Sequence, residues 1–336
     1  MNDIASDIAV LPAAAARPPY VPSEPTMNTF IRIAEVWVPS KGRLQLQLGD
    51  GIYGALGELR AISERTSFGY GEGLPGHAWA AGHPIVLPDL RNSWFAAAPA
   101  EAGLAGAVAL PVFAGEYLMA VAVLVCGHDD AQVGAIELWH NNPDKFFEMR
   151  LIGGYYENAE TFAFNAHHTR FPRGYGLPGR AWKSQTPLIV KDLSNSKSFL
   201  RWEQAVQIGI NRGLGIPYAH ASGQSWALSF LSARDTPMAR RFEIWVPNET
   251  REALVFDSGD CDHATELASE YAPARIAKGD GIIGQAWLTG IPALCDRIAD
   301  DPSAAGRSAA AAGLGAAMAL PFIQAGKLKA VIAWYF

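Results

Sequence analysis

Residues 43–50 read RLQLQLGD, with Leu44, Leu46 and Leu48 alternating with Arg43, Gln45 and Gln47. That is the period of a strand with one buried face. Shorter apolar runs follow: PIVLPDL, then AVALPVF and LMAVAVLVC on either side of the turn AGEY. Two apolar runs joined by a short glycine-containing turn predict a hairpin. Between the strands lie segments too polar or too alanine-rich to be strands, GEGLPGHAW and NSWFAAAPAEAGL, which predict helices. Hairpin-joined strands with intervening helices imply an α+β fold, an antiparallel sheet with helices packed on it.

The same order of elements occurs three times. GEGLPGHAW (71–79), GYGLPGRAW (174–182) and GDGIIGQAW (279–287) start 103 and then 105 residues apart. Trp37, Trp139 and Trp245 fall in register in EVWVP, ELWHN and EIWVP, and Asp89, Asp192 and Asp296 follow the glycine motif at matching offsets. Gly103, Gly209 and Gly313 each precede a proline (Pro111, Pro217, Pro321) by eight positions. A copy of about a hundred residues suits a complete small domain rather than a solenoid repeat. The expected domains are 27–128, 129–236 and 237–336, separated near the polar stretches CGHDDAQVG and SARDTPMAR. Residues 1–26 carry five prolines and no amphipathic period, and read as a disordered or loosely docked tail.

GYGLPG also spells the G-x-G-x-x-G of a dinucleotide-binding turn, and Asp192 lies 18 positions after Gly174. The context is wrong for that reading. A nucleotide fingerprint follows directly from a buried strand, whereas SERTSFGY, AHHTRFPR and APARIAK are polar and two are broken by Pro172 or Pro273. About six residues separate the last motif glycine from the next turn, too few for a crossover helix. The glycines instead permit left-handed backbone and a close helix–sheet approach. Pro75 and Pro178 are expected at the first helical position. The Ala-Trp pair is expected to bury its ring against the sheet.

These residues resemble the GAF family of small-molecule sensor domains. The likeness rests on GEGLPGHAWAAGHPIVLPDL with GLAGAVALPVFAGEYLMAVAVLV, and on GYGLPGRAWKSQTPLIVKDL with SFLRWEQAVQIGINRGLGIPY. GDGIIGQAWLTGIPALCD departs from it where Leu-Pro becomes Ile282-Ile283. The resemblance covers residues 28–336 and is closest to bacterial sensors. It implies three tandem domains, each an antiparallel sheet of five or six strands flanked by helices, one set covering a ligand pocket. It further implies a non-enzymatic signalling protein that binds a small molecule, forms a homo-oligomer such as a dimer, and acts through a separate output protein. The chain ends on the last strand of copy three, which leads to the same expectation. The alternative is a ligand-free scaffold regulating a separate kinase or transcription partner. The likeness leaves the cofactor unknown.

Composition narrows the partners. A net charge of -6 with no clustered basic face argues against nucleic acid. No apolar run approaches the length of a membrane span, and the N-terminus has no secretory pattern, so a cytoplasmic protein is expected. Cys126, Cys261 and Cys295 are too few for a disulfide framework. Cys126 and Cys295 read as small strand hydrophobes, and Cys261, in the polar stretch GDCDH, as the one open to reaction. A GAF-fold methionine sulfoxide reductase exists, but it uses clustered cysteines, and these three lie far apart in sequence. His167 and His168, taken as extended, point to opposite sides and form no joint metal site. No catalytic or metal site is expected.

Copy two departs from its neighbours. Its covering segment SFLRWEQA and its early loop GGYYENAETFAF are aromatic where the others are aliphatic or alanine-rich. Tyr155, Tyr156, Phe199, Arg201, Trp202, Tyr218 and His220 are the expected ligand-binding residues, a polar-aromatic lining suited to a pocket. The competing reading is that these rings fill the core and Arg201 is solvated. With the ligand in copy two, copies one and three are expected to organise the dimer.

Overall fold

A computed structural model describes residues 29–90, 103–129, 132–193, 201–219, 223–262 and 267–336. The expected N-terminal tail lies outside these residues, as does the helical segment expected over 92–104 apart from Gly103 and Leu104, the latter of which begins a strand. The chain forms three antiparallel sheets flanked by helices. The first contains β1 (Ile31–Pro39), β2 (Gln45–Ile52), β3 (Ser67–Gly69), β4 (Ile85–Leu87), β5 (Leu104–Ala114) and β6 (Tyr117–Gly127), in the order β3-β2-β1-β6-β5-β4. Its helices are α1 (Gly57–Ser63) and α2 (Gly73–Ala81).

The second sheet runs β8-β7-β11-β10-β9, from β7 (Gly134–Asn141), β8 (Arg150–Glu157), β9 (Leu188–Val190), β10 (Arg212–Ala219) and β11 (Ser225–Ser232), with α3 (Glu160–His168), α4 (Gly176–Ser184) and α5 (Trp202–Gln207). The third runs β13-β12-β16-β15-β14, from β12 (Arg241–Pro247), β13 (Leu254–Cys261), β14 (Ala293–Cys295), β15 (Ala317–Gln324) and β16 (Lys327–Tyr335), with α6 (Leu267–Tyr271), α7 (Gly281–Thr289) and α8 (Ala304–Ala311). With equivalent strands matched, all three sheets have one strand order, and β3 is an addition on the first.

The glycine motif is a structural turn in every copy. The first two glycines have positive φ: Gly71 78° and Gly73 57°, Gly174 93° and Gly176 64°, Gly279 84° and Gly281 59°. The first glycine's N–H donates to the third glycine's carbonyl at 2.9, 2.7 and 2.8 Å. A Cβ on the third glycine would lie 2.2 Å from the carbonyl oxygen of Gly69 or Pro172, or 2.3 Å from that of Ala277. Backbone-to-backbone crowding of that kind has no side chain to yield. Gly179→Ala is therefore expected to lower stability by about 3 kcal/mol, the upper end of overpacking costs. Chemical denaturation of the full chain checks it, and a change within 0.5 kcal/mol would contradict it.

Three local expectations are corrected. Pro75 and Pro178 occupy the third helical position rather than the first, still within the turn whose N–H groups lack helical partners. In the motif's Ala-Trp pair Ala78, Ala181 and Ala286 are fully buried, while the tryptophan rings pack against the helical-face cores only in part. Trp79, Trp182 and Trp287 are half-buried. They pack on the residue before the motif, Trp79 edge-on to Tyr70 at 5.2 Å, Trp182 under Arg173 at 5.8 Å and Trp287 under Lys278 at 5.3 Å. His167 and His168 are not extended but close the C-terminal turn of α3.

Each sheet carries helices on one face and turns the other toward its neighbours. Leu124, Phe230 and Trp334 occupy equivalent positions on β6, β11 and β16, and all three lie in one core shared by the three sheets. The edges meet in a cycle: β4 packs on β7 and β8, β9 on β13, and β14 on β2. Each contact joins the β4-like strand of one sheet to the β2-like strand of the next. A head-to-tail contact repeated through a closing rotation makes a ring, and here the ring closes within one chain.

Equivalent points of the ring are filled differently. Gly106 meets Tyr155, whose ring lies 2.6 Å from where a Cβ would stand. At the corresponding place Arg212, 2% exposed, pairs with Asp260 at 3.1 Å and Asp262 at 2.6 Å. Between the first two sheets the Trp226 indole is stacked between His83 at 4.5 Å and His140 at 4.8 Å.

Candidate functional site

The first strand of each copy places a glutamate two residues before its tryptophan, Glu35-x-Trp37, Glu137-x-Trp139 and Glu243-x-Trp245. Period-two geometry puts both side chains on the same face, and that face is the helical one. All six residues are fully buried. The pairing with the next strand shifts register at each tryptophan, between Val36 and Trp37, Leu138 and Trp139, and Ile244 and Trp245. Such irregularities re-aim side chains. The indole Nε1 then donates to the glutamate Oε2 at 2.8, 3.1 and 2.8 Å.

A buried carboxylate needs more than one donor, and the three copies supply different sets. Glu35 accepts from Tyr53 Oη at 2.8 Å and Ser63 Oγ at 2.6 Å on its other oxygen, neutral groups throughout. Glu243 accepts from Tyr271 Oη at 2.9 Å and Tyr335 Oη at 3.0 Å. Arg241, two residues back on the same strand, stands 3.5 Å away. Its guanidinium also donates to Tyr271 Oη at 3.0 Å and Ser308 Oγ at 2.9 Å. Glu137 takes a two-pronged ion pair from Arg201, at 2.8 and 2.5 Å, with a further bond from Tyr156 Oη at 3.1 Å. Arg201 is only 3% exposed. It stands at the start of α5, so it reaches the sheet from the covering side. Its guanidinium lies 4.1 Å from the Phe162 ring, 5.4 Å from Trp139 and 5.7 Å from Phe171.

Burial raises the pKa of Glu35 above the ordinary carboxylate value, and the bonds from Ser63, Tyr53 and Trp37 offset that in part. Burial raises Glu243 likewise, against Trp245, Arg241 and the two tyrosines. A carboxyl with a folded-state pKa above its unfolded value opposes folding when ionised. That opposition fades as pH falls through the folded pKa and is gone below the unfolded one. Glu35→Gln removes it at every pH. The melting temperature of Glu35→Gln relative to the parent is thus expected to be highest near pH 8 and to decline toward pH 5. A difference that stays constant with pH would contradict the assignment. Glu243 is common to both proteins and cancels.

The expected ligand residues divide between two faces. Tyr156 and Arg201 meet on Glu137, on the helical face of the second sheet. Tyr155 points the other way into the shared core, tilted against Phe30 at 5.5 Å and donating to Glu157. Tyr218 packs against that same core, where burial pushes its phenol pKa up. Trp202 begins α5, and Phe199, His220 and the Trp202 side chain lie outside the described residues. Sequence reasoning passed over Glu137, whose signal was the repeated Glu-x-Trp.

Cys261 is corrected: it ends β13, 7% exposed, and accepts from Arg241 Nε at 3.4 Å. Cys295 on β14 is the half-exposed one. Among the described residues no three His, Cys, Asp or Glu side chains group as metal ligands, and no helix is long and apolar enough to cross a membrane. A crevice lined by Arg212, Asp260, Met238 and Phe242, where the second and third sheets meet, has room for about one water.

Residues 232–336, which contain the whole third sheet, match the GAF domain family. No curated protein matches the chain. Similar solved structures include the free methionine-R-sulfoxide reductase of Neisseria meningitidis, at 16% identity and TM-score 0.23, over 29% of this chain and 52% of that one. The GAF domain of an Acinetobacter phosphoenolpyruvate-protein phosphotransferase is 18% identical with TM-score 0.24, over 29% and 57%. A Staphylococcus aureus NreA protein mutated in its nitrate binding site is 12% identical with TM-score 0.26, over 32% and 78%. The chain spans about half the length of the first of these. The family match on 232–336 is what places a GAF domain in this chain.

Proposed function

We propose that the protein is a non-catalytic sensory or regulatory protein of three tandem GAF-type domains, 27–128, 129–236 and 237–336, and that the second holds its small-molecule site. The family match on the third segment supports the first part. The first two segments share its strand order, glycine turn and buried Glu-x-Trp. One observation carries the choice of the second domain: its covering helix delivers a buried charge, Arg201, to the sheet carboxylate Glu137. Polar groups converging between an aromatic floor and a cover are what a ligand site requires. The helix-free faces are occupied within the chain, so self-association uses the outward helical faces. A separate cytoplasmic output protein receives the signal.

The test is a melting-shift screen of the full chain against a metabolite panel. A ligand at a hundred times its Kd adds about 2.7 kcal/mol of stability. Replacing Tyr156 with phenylalanine should weaken any genuine hit, and a hit indifferent to Tyr156 would place the site elsewhere. The second reading, a ligand-free scaffold, is favoured by the filled interior around Glu35 and Glu243, where the chain's own hydroxyls and indoles satisfy the carboxylate. A screen without hits supports it.

A further inference from the structure

We infer that the site in the second domain is a receptor for a guanidinium or alkylammonium group, and that Arg201 is its tethered occupant, displaced when ligand binds; this rests on the second-domain reading above. The surroundings of the Arg201 guanidinium are those of a cation receptor. A carboxylate grips it with both oxygens, and Phe162, Trp139 and Phe171 stand 4.1–5.7 Å from it. Aromatic faces attract cations, most strongly where water is excluded. Glu137 is fully buried.

Charge decides among ligand classes. An anion drawn to Arg201 would take it from Glu137 and leave a buried carboxylate without its counter-ion, the costly outcome for any buried pair. A neutral ligand would separate the two charges and replace neither. A cation replaces Arg201 one for one, and Arg201 then carries its charge to water, where a guanidinium is well accommodated.

Two further atoms point the same way. Ser229 lies opposite Glu137 in the β7–β11 pairing, so its side chain shares that face. It is 1% exposed, and among the described residues its Oγ has no hydrogen-bond partner. Gln204, one turn along α5 from Arg201, has a buried Oε1 without a hydrogen-bond partner among the described residues. Both atoms can accept, and a buried acceptor without a donor is destabilising. A ligand with several N–H groups supplies donors that the described residues do not. The equivalent serine position in the third domain is Ala333 and in the first is Val123, neither with a polar atom to satisfy.

Methylguanidinium is the probe, with acetate as its anionic counterpart, measured by calorimetry and melting shift on the full chain. Removing the tether in Arg201→Ala is expected to give saturable methylguanidinium binding at least tenfold tighter than in the parent, with part of the lost melting temperature restored. Adding Glu137→Gln to that variant should abolish the binding, and acetate should do neither. If Arg201→Ala does not fold, Arg201→Gln, which removes the charge and keeps more of the side chain's volume, serves in its place. No saturable binding, binding unchanged by Glu137→Gln, or stabilisation by acetate instead would each overturn the inference. A metabolite hit without a cationic group whose effect depends on Tyr156 would overturn the ligand class while leaving the second-domain site standing.

Discussion

Glu137→Ala is expected to destabilise the protein by about 3–5 kcal/mol, the range for removing one partner of a buried ion pair. The buried Arg201 guanidinium would lose the carboxylate that grips it. Tyr156 Oη and Trp139 Nε1 would lose an acceptor as well. The double replacement Glu137→Met with Arg201→Met should recover the part of the loss that comes from the stranded charge, because an apolar pair removes both desolvation costs together, while Tyr156 Oη and Trp139 Nε1 still lack their acceptor. Denaturant unfolding of the single and double variants makes a thermodynamic cycle. A double variant as unstable as the sum of its singles would show that the residues act independently and would remove the physical basis for treating them as one site. The same cycle on Glu35 offers a contrast. Its partners are neutral, so Glu35→Gln leaves no stranded charge and is expected to be far milder.

Much of this arrangement can be read in the chain. The threefold glycine turn, the hairpin spacing and the alternation of residues 43–50 together lead to antiparallel sheets with helices, and the structure has them. The glycine turn could be separated from a nucleotide fingerprint because context, not the glycines, distinguishes the two. The site was less legible. Tyr155 and Tyr156 are adjacent on β8, and strand alternation alone places them on opposite faces. Pooling them as one lining overlooked that rule. Glu137 stood beside the tryptophan used to align the copies, yet a glutamate among apolar residues in a strand carries no local mark of burial. Its partner Arg201 lies 64 positions away. Cys261 shows the converse error, for GDCDH is polar in composition while its cysteine faces inward at a strand end.

The shared core had a signal that composition could have revealed. LMAVAVLVC and AVIAWYF are apolar at every position, and a strand buried on one face alone would alternate. Continuous runs in copies one and three require something to cover both faces, and in a chain of three equivalent sheets the cover available is the other two. Which edge meets which is a separate matter of pairwise fit: Tyr155 needs the glycine at 106, and Arg212 needs Asp260 and Asp262. Exchanging domains would put an arginine against an aliphatic or aromatic residue. The order of the copies is thus written at two of the junctions in contacts dispersed over the sequence.

Trp334→Ala is expected to lower stability by about 3–5 kcal/mol, the range for truncating a buried tryptophan, and to do so for the whole chain at once. Trp334 is fully buried in the shared core, edge-on to Phe230 of the second sheet at 6.1 Å and to Phe242 of its own at 6.4 Å. Its removal leaves a cavity bordered by more than one sheet. If the sheets were separate domains on a string, calorimetry would show one early transition from the third while the others kept their melting temperatures. Around a common core the lost contacts belong to all three, and a single endotherm should move down intact. Three resolved transitions, with only one displaced, would mean that the sheets touch without sharing stability. A change at Glu137 would then remain local to its own sheet. A single shifted endotherm would mean the reverse: a ligand that stabilises the second domain tightens the other two through Phe230 and Trp334, without an opening at either of their own carboxylates.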